Sequence, residues 1–139
     1  MADFQVVFGA RGRRRILKPV RAVRSRGSTS NQGVRAMITC VVDYVIDPKK
    51  TSSFEEFAKR WIDIVNRYGG RHHGYFLPSE GASDRALALF SFPSLAEYER
   101  YRSHFGVNPE FIDADRIRDE SGCVLRYERS FMRPLLERE

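Results

Sequence analysis

Two stretches of this chain are apolar at both alternations of a strand, which constrains its fold more than any other feature. In residues 37–46 (MITCVVDYVI) one alternate set is Ile38, Cys40, Val42, Tyr44 and Ile46, and the other still contains Val41 and Val45. In residues 85–92 (RALALFSF) Ala86, Ala88, Phe90 and Phe92 form one set, and Leu87 and Leu89 belong to the other. Successive strand side chains point to opposite faces, so a sheet containing both segments needs cover on both sides. Helices on one side leave the other bare, and a bare apolar face is an association surface. Pairing of two copies, sheet against sheet, is the economical solution, so a homodimer is expected.

The remaining elements follow from their boundaries. Asp47-Pro48 ends the first strand. Ser53-Phe-Glu-Glu56 reads as a capping box, and Phe54, Phe57, Ala58, Trp61, Ile62, Val65 and Tyr68 recur at the spacing of one helical face before Gly69-Gly70 stops it. Residues 71–77 (RHHGYFL) and 85–92 read as a hairpin around the turn formers of residues 78–84. Ser94-Leu-Ala-Glu97 opens a second helix carrying Leu95, Tyr98, Tyr101 and Phe105, and Asn108-Pro109 opens a shorter one running to about Asp119. After Ser121-Gly122, residues 123–132 (CVLRYERSFM) read as the last strand. The order is βαββαβ, which predicts an α+β, ferredoxin-like antiparallel sheet in the spatial order 4-1-3-2, closed into a dimeric α/β barrel.

A single domain suits 139 residues. The formal charge of +6 suggests nucleic acid until its location is considered. Residues 1–36 hold eight Arg and one Lys against Asp3 alone; of 24 bases and 18 acids, 15 and 17 remain for residues 37–139, a net of −2. The domain has no surplus of base to neutralise phosphates, so nucleic acid is not its expected partner. The head, residues 1–36, lacks a sustained apolar period and is expected to be disordered. It reads as an over-extended start ahead of Met37, as an Arg- and Ser-rich transit peptide, or as a basic arm; the first is preferred. The expected location is accordingly cytoplasmic, or the mitochondrial matrix if the head is a transit peptide. No apolar run approaches the ~20 residues of a membrane span. Cys40 and Cys123 have no metal-ligand spacing, and the strand order puts them at opposite ends of a strand pair, beyond disulfide reach.

Tyr44-Val-Ile-Asp-Pro48, Gly74-Tyr75, Leu89-Phe-Ser-Phe-Pro-Ser-Leu95 and Asn108-Pro-Glu-Phe111, in this order and spacing, resemble the NIPSNAP family over roughly residues 37–133. The resemblance implies a ferredoxin-like subunit that dimerises into an α+β barrel. It implies no reaction: the family's members have no established enzymatic activity and are linked in animals to mitochondria and to vesicle or mitophagy roles. Those proteins carry two such domains, and this chain, with one, looks like a small bacterial member. It departs from the family pattern at Cys40 and Val42, where an acid and an Arg are common, and at Phe90 and Phe111, where Trp is common.

The residues themselves offer a candidate pocket and no catalytic set. His72 and His73 are consecutive in a strand and point to opposite faces, so they do not share a metal ion. His73, expected on the face of Tyr75 and Leu77, is the titratable candidate. Tyr44, Trp61, His73, Tyr75 and Phe90 form the candidate ligand-binding pocket, suited to a small apolar or aromatic molecule. Asp113, Asp115, Asp119 and Glu120 read as a solvated helix face, and His104 as a helix-end imidazole. No Gly-rich phosphate loop in a strand-turn-helix context and no Ser/His/Asp arrangement is present, so no cofactor, metal or catalytic residue is assigned. The expected role is a ligand-binding or interaction module. The alternative is a cofactor-independent enzyme, monooxygenase- or lyase-like, using the aromatic pocket.

Overall fold

The structure, a computed structural model, describes residues 37–136. The expected basic head, residues 1–36, lies outside them. The described chain runs β1 (Ile38–Ile46), α1 (Thr51–Arg67), β2 (Arg71–Phe76), β3 (Arg85–Phe92), α2 (Leu95–Arg102), α3 (Pro109–Ser121) and β4 (Val124–Met132). The strands form one antiparallel sheet in the order β2-β3-β1-β4. This is the ferredoxin-like α+β arrangement expected from the sequence.

Two of the three helix starts match their sequence signals. Ser94 Oγ accepts the Glu97 N–H at 3.2 Å, and Asn108 Oδ1 accepts that of Glu110 at 3.0 Å with Pro109 in the first turn. The Ser53–Glu56 box does not form. Asp47 Oδ1 accepts the Lys49 N–H at 3.0 Å and starts a 3-10 turn at Pro48–Lys50, which passes directly into α1 at Thr51. Ser53 is therefore already inside the helix, because the proline fixes the helical φ several residues earlier. Gly122, with φ of 70°, closes α3 in the left-handed conformation.

One face of the sheet holds the core. Cys40, Val42, Tyr44 and Ile46 of β1 and Ala86, Ala88, Phe90 and Phe92 of β3 meet Phe54, Phe57, Trp61, Ile64 and Val65 of α1. The buried face of α1 tilts toward Ile64, leaving the expected Ile62 only partly buried. Phe111 and Ala114 of α3 complete the layer, and Arg67 of α1 ties the two helices together by pairing with Glu110 as well as with Asp63 at 2.8 Å. Both cysteines are buried free thiols; Cys40 faces Phe131 at one end of the β1/β4 pair, and Cys123 precedes Val124 at the other.

The opposite face carries Val41, Val45, Leu87 and Leu89, all partly buried, beside the exposed Phe76 and Met132. No helix among the described residues covers it, since every helix packs on the core side. None of the described helices is long and apolar enough to cross a membrane.

Candidate functional site

Where the helices meet the sheet, the aromatic side chains do not close completely. A cavity of about 50 Å³ remains, lined by Tyr44, Trp61, His72, Tyr75, Phe90 and Arg129 among others. Trp61 projects from α1, stacks on Phe105 at 5.3 Å and meets Phe111 edge-on at 5.4 Å. Tyr44 projects from the centre of β1, between Phe54 at 5.1 Å, Tyr75 at 6.0 Å and Tyr127 at 6.1 Å. Burial pushes the Tyr44 phenol up to about 12, with the neighbouring Tyr75 hydroxyl offsetting part of the rise, so it stays a neutral hydroxyl.

Four of the five residues expected in a pocket line this cavity, and the fifth does not. His73 points to the other side of the sheet, and His72 occupies the place read for it. The cause is a β-bulge: His72 pairs with Phe90 and Gly74 with Leu89, so β2 uses one residue more than β3 over the same span. The extra residue shifts the alternation by one and puts His72 on the face of Tyr75. Gly74 sustains the bulge with φ of 111°, a conformation that side chains disfavour. The imidazole of His72 lies flat between Tyr75 at 5.0 Å and Phe90 at 5.2 Å.

The protonation of His72 follows from its contacts. The Gly74 backbone N–H donates to Nδ1 at 2.9 Å, so Nδ1 is the acceptor and Nε2 carries the proton. Burial, and then the nearby His73, lower the imidazole to about 4, so it is neutral at pH 7. Its Nε2 is buried without a partner.

Three charged residues that the sequence reading left out of the pocket, Asp115, Arg118 and Arg129, also line the cavity. Asp115 is 8% exposed, because Phe111, Ala114, Asp115 and Arg118 recur at the i, i+3, i+4, i+7 spacing of the buried side of α3; only Asp113, Asp119 and Glu120 match the expected solvated face. Burial raises the Asp115 carboxyl, and Arg118 at 3.6 Å opposes that rise. Arg129 lies on β4 directly across from Val42, its guanidinium 5.6 Å from the centre of the Tyr127 ring, and its Nε is buried without a partner. The signal was Leu125, Tyr127, Arg129 and Phe131 on one alternation: a cation on the apolar side of a strand. His104 is likewise more than a helix-end charge, since it lies beyond α2 and packs on Tyr68 at 4.8 Å and Phe111 at 5.2 Å.

His73 belongs to a second polar cluster on the uncovered sheet face. Its Nε2 lies 2.8 Å from Ser91 Oγ, which lies 2.7 Å from Thr39 Oγ1. No carboxylate among the described residues joins the chain, so it lacks the third member of a nucleophilic triad. No group of three or more potential metal ligands occurs among the described residues.

The NIPSNAP family model matches residues 40–136. An uncharacterised NIPSNAP-like domain protein from Burkholderia xenovorans is similar in structure, with a TM-score of 0.61 at 22% identity over 73% of this chain and 87% of that one. A NIPSNAP family protein of unknown function from Agrobacterium tumefaciens superposes with a TM-score of 0.61 at 17% identity, covering 72% and 89%. SnoaB from Streptomyces nogalater, a cofactor-independent oxygenase, shares the fold with a TM-score of 0.55 at 12% identity, covering 73% and 96%. No curated protein matches the sequence. With a matching family model over most of its length and the fold of its structural relatives, the chain belongs to the NIPSNAP family.

Proposed function

We propose that this protein is a homodimeric small-molecule-binding module, with residues 37–139 as its working domain and one ligand cavity on the helix side of each sheet. The supporting observation is the cavity itself: aromatic walls, and two buried N–H donors, on His72 and Arg129, that nothing in the described chain satisfies. A recess with aromatic walls and a few convergent polar groups is the usual form of a ligand pocket. The pocket residues are Tyr44, Trp61, Tyr75 and Phe90, with His72 in place of His73.

Dimerisation is supported by the uncovered face around Val41, Val45, Leu87 and Leu89. Packing two such faces together buries them and gives a barrel with helices outside. Light scattering on the full chain tests it: a dimer at micromolar concentration is expected, and a monomer refutes it. A thermal-shift screen against a metabolite panel tests the cavity, because a ligand that binds only the native state raises the melting midpoint. Silence across the panel removes the ligand-binding reading.

A second reading is a cofactor-independent enzyme. What favours it is the neutral, oriented imidazole of His72 beside a row of phenols, in a fold shared with an oxygenase described as cofactor-independent. The likeness is one of fold and carries no residue roles. Turnover of a screened ligand, read by mass spectrometry, separates enzyme from binder. Cytoplasmic location is the simpler proposal, and a mature protein lacking residues 1–36 and recovered from mitochondria would replace it.

A further inference from the structure

The donors that line the cavity also specify the chemistry of what it holds, an inference that rests on the ligand-binding reading above. Among the described residues, the buried side-chain nitrogens and oxygens without a partner are His72 Nε2 and Arg129 Nε, and both residues line this one cavity. Buried donors are ordinarily satisfied, so two orphans at one place mark a site completed from outside the chain.

The charges point to the same conclusion. Two guanidinium groups line the cavity. Arg118 is matched by Asp115 at 3.6 Å and by Asp119 at 2.9 Å. Arg129 appears in none of the ion pairs of the described residues. Its immediate surroundings are Tyr44, Tyr98, Tyr127 and Cys40, phenols and a thiol that burial keeps protonated. The one carboxylate lining the cavity is engaged first by Arg118 and only secondarily by Arg129, so Arg129 contributes a largely buried positive charge with no ion pair of its own among the described residues. His72 adds a neutral N–H donor and no free acceptor, since its Nδ1 is held by the Gly74 N–H. A cation or a ligand rich in donors finds no match in this arrangement. An anion with two acceptor oxygens does, because a guanidinium and a carboxylate form a paired, charge-assisted contact.

The volume limits the size. A cavity of about 50 Å³ holds roughly three or four water-sized groups, enough for a carboxylate with a short tail, and the aromatic walls favour an apolar one. We propose that the cavity is a binding site for a small monocarboxylic acid, its carboxylate paired with Arg129 and its apolar end against Trp61, Tyr75 and Phe90.

The test is a melting series on the full chain at constant ionic strength, with sodium acetate and propionate set against sodium chloride, sodium phosphate, acetamide and propionamide. At tenfold above Kd an acid should raise the midpoint by about 5 °C or more, whereas the amides and inorganic salts should have no specific effect. Arg129→Met should weaken acid binding at least tenfold while the free protein melts as high as the parent or higher, since an unpaired buried charge is replaced by an apolar chain of similar length. Arg129→Lys should restore part of the response. If Arg129→Met does not fold, Arg129→Lys together with the carboxylate ¹³C resonance of labelled propionate gives the same reading: broadening with the parent protein and less with the lysine variant. Amides that bind as well as acids overturn the proposed class while leaving a ligand-binding cavity standing. Phosphate as effective as propionate overturns the carboxylic assignment in favour of general anion binding. No response to either series, with another metabolite of the wider panel active, also overturns the proposal; silence from everything removes the ligand-binding reading with it.

Discussion

The backbone N–H of Gly74 donates to Nδ1 of His72 at 2.9 Å, and this single contact makes the imidazole an Nε2–H donor toward the cavity. Protonating Nδ1 would abolish the acceptor and break the contact. The imidazole is lowered to about 4 by burial and by His73, against 6.5 in an unfolded chain, so the unfolded state binds the proton more readily between these values. Stability should therefore be full above about pH 6.5 and fall as the pH drops toward 4. For a partly exposed ring the loss should not exceed about 2 kcal/mol after allowance for solvent screening. Comparing melting curves of the parent and His72→Gln from pH 7.5 to 4 isolates this effect from that of Asp115, whose raised carboxyl acts in the opposite direction. The variant should show the shallower decline.

Gly74→Ala should cost about 1–2 kcal/mol, because φ of 111° is strained for a residue with a Cβ. No atom lies within 4 Å of where that Cβ would sit, so strain alone is the cause. Gly70→Ala should fail for the other reason. Its Cβ would approach the Phe92 ring to 2.7 Å and Val65 to 2.8 Å, forcing the end of α1 away from the sheet. Urea denaturation of both variants should show lower midpoints.

Trp61→Ala removes the ring that Phe57, Tyr101, Phe105 and Phe111 pack around. A loss of about 3–5 kcal/mol is expected from the resulting void. Denaturant unfolding followed by far-UV circular dichroism measures it without the lost fluorophore.

Val41→Glu together with Leu89→Glu, which face each other across β1 and β3, should convert a dimer into a monomer. Both residues lie on the uncovered face and do not line the cavity. Light scattering that still returns a dimer would place the interface elsewhere.

Neither cysteine should react with an aromatic disulfide reagent in the native protein at pH 8. Burial pushes the Cys40 thiol up to about 12 and raises that of Cys123, so almost no thiolate is present. Two equivalents should react once guanidinium unfolds the chain.

The strands and their order could be read from the sequence because each is bounded by strong breakers and because the hairpin and helix spacings leave few arrangements. Ser94 and Asn108 acted as the caps they resembled, whereas Ser53 was overtaken by Asp47-Pro48, a competing start whose cap lies six residues upstream. The site was legible only in its apolar part. Tyr44, Trp61, Tyr75 and Phe90 follow from alternation and helical spacing, which the fold obeys. His72 escaped because a bulge changes the count of residues and strict alternation has no way to register it; Gly74 was the available clue. Asp115 and Arg129 escaped because polar side chains are assigned to solvent by default, although each occupied an apolar position of its own element.

The bulge has a further effect that concerns how the molecule keeps company. β2 is an edge of the sheet, and among the described residues no strand neighbours its outer backbone groups. A regular edge of this kind is a template on which another chain can continue the sheet, and copies added in this way have no natural limit. The extra residue at His73 and the kink at Gly74 twist the strand out of the flat geometry such addition requires. Straightening it, for instance by deleting His73, should produce a protein that precipitates or forms fibres on mild heating, because lateral growth along the rim would no longer be blocked.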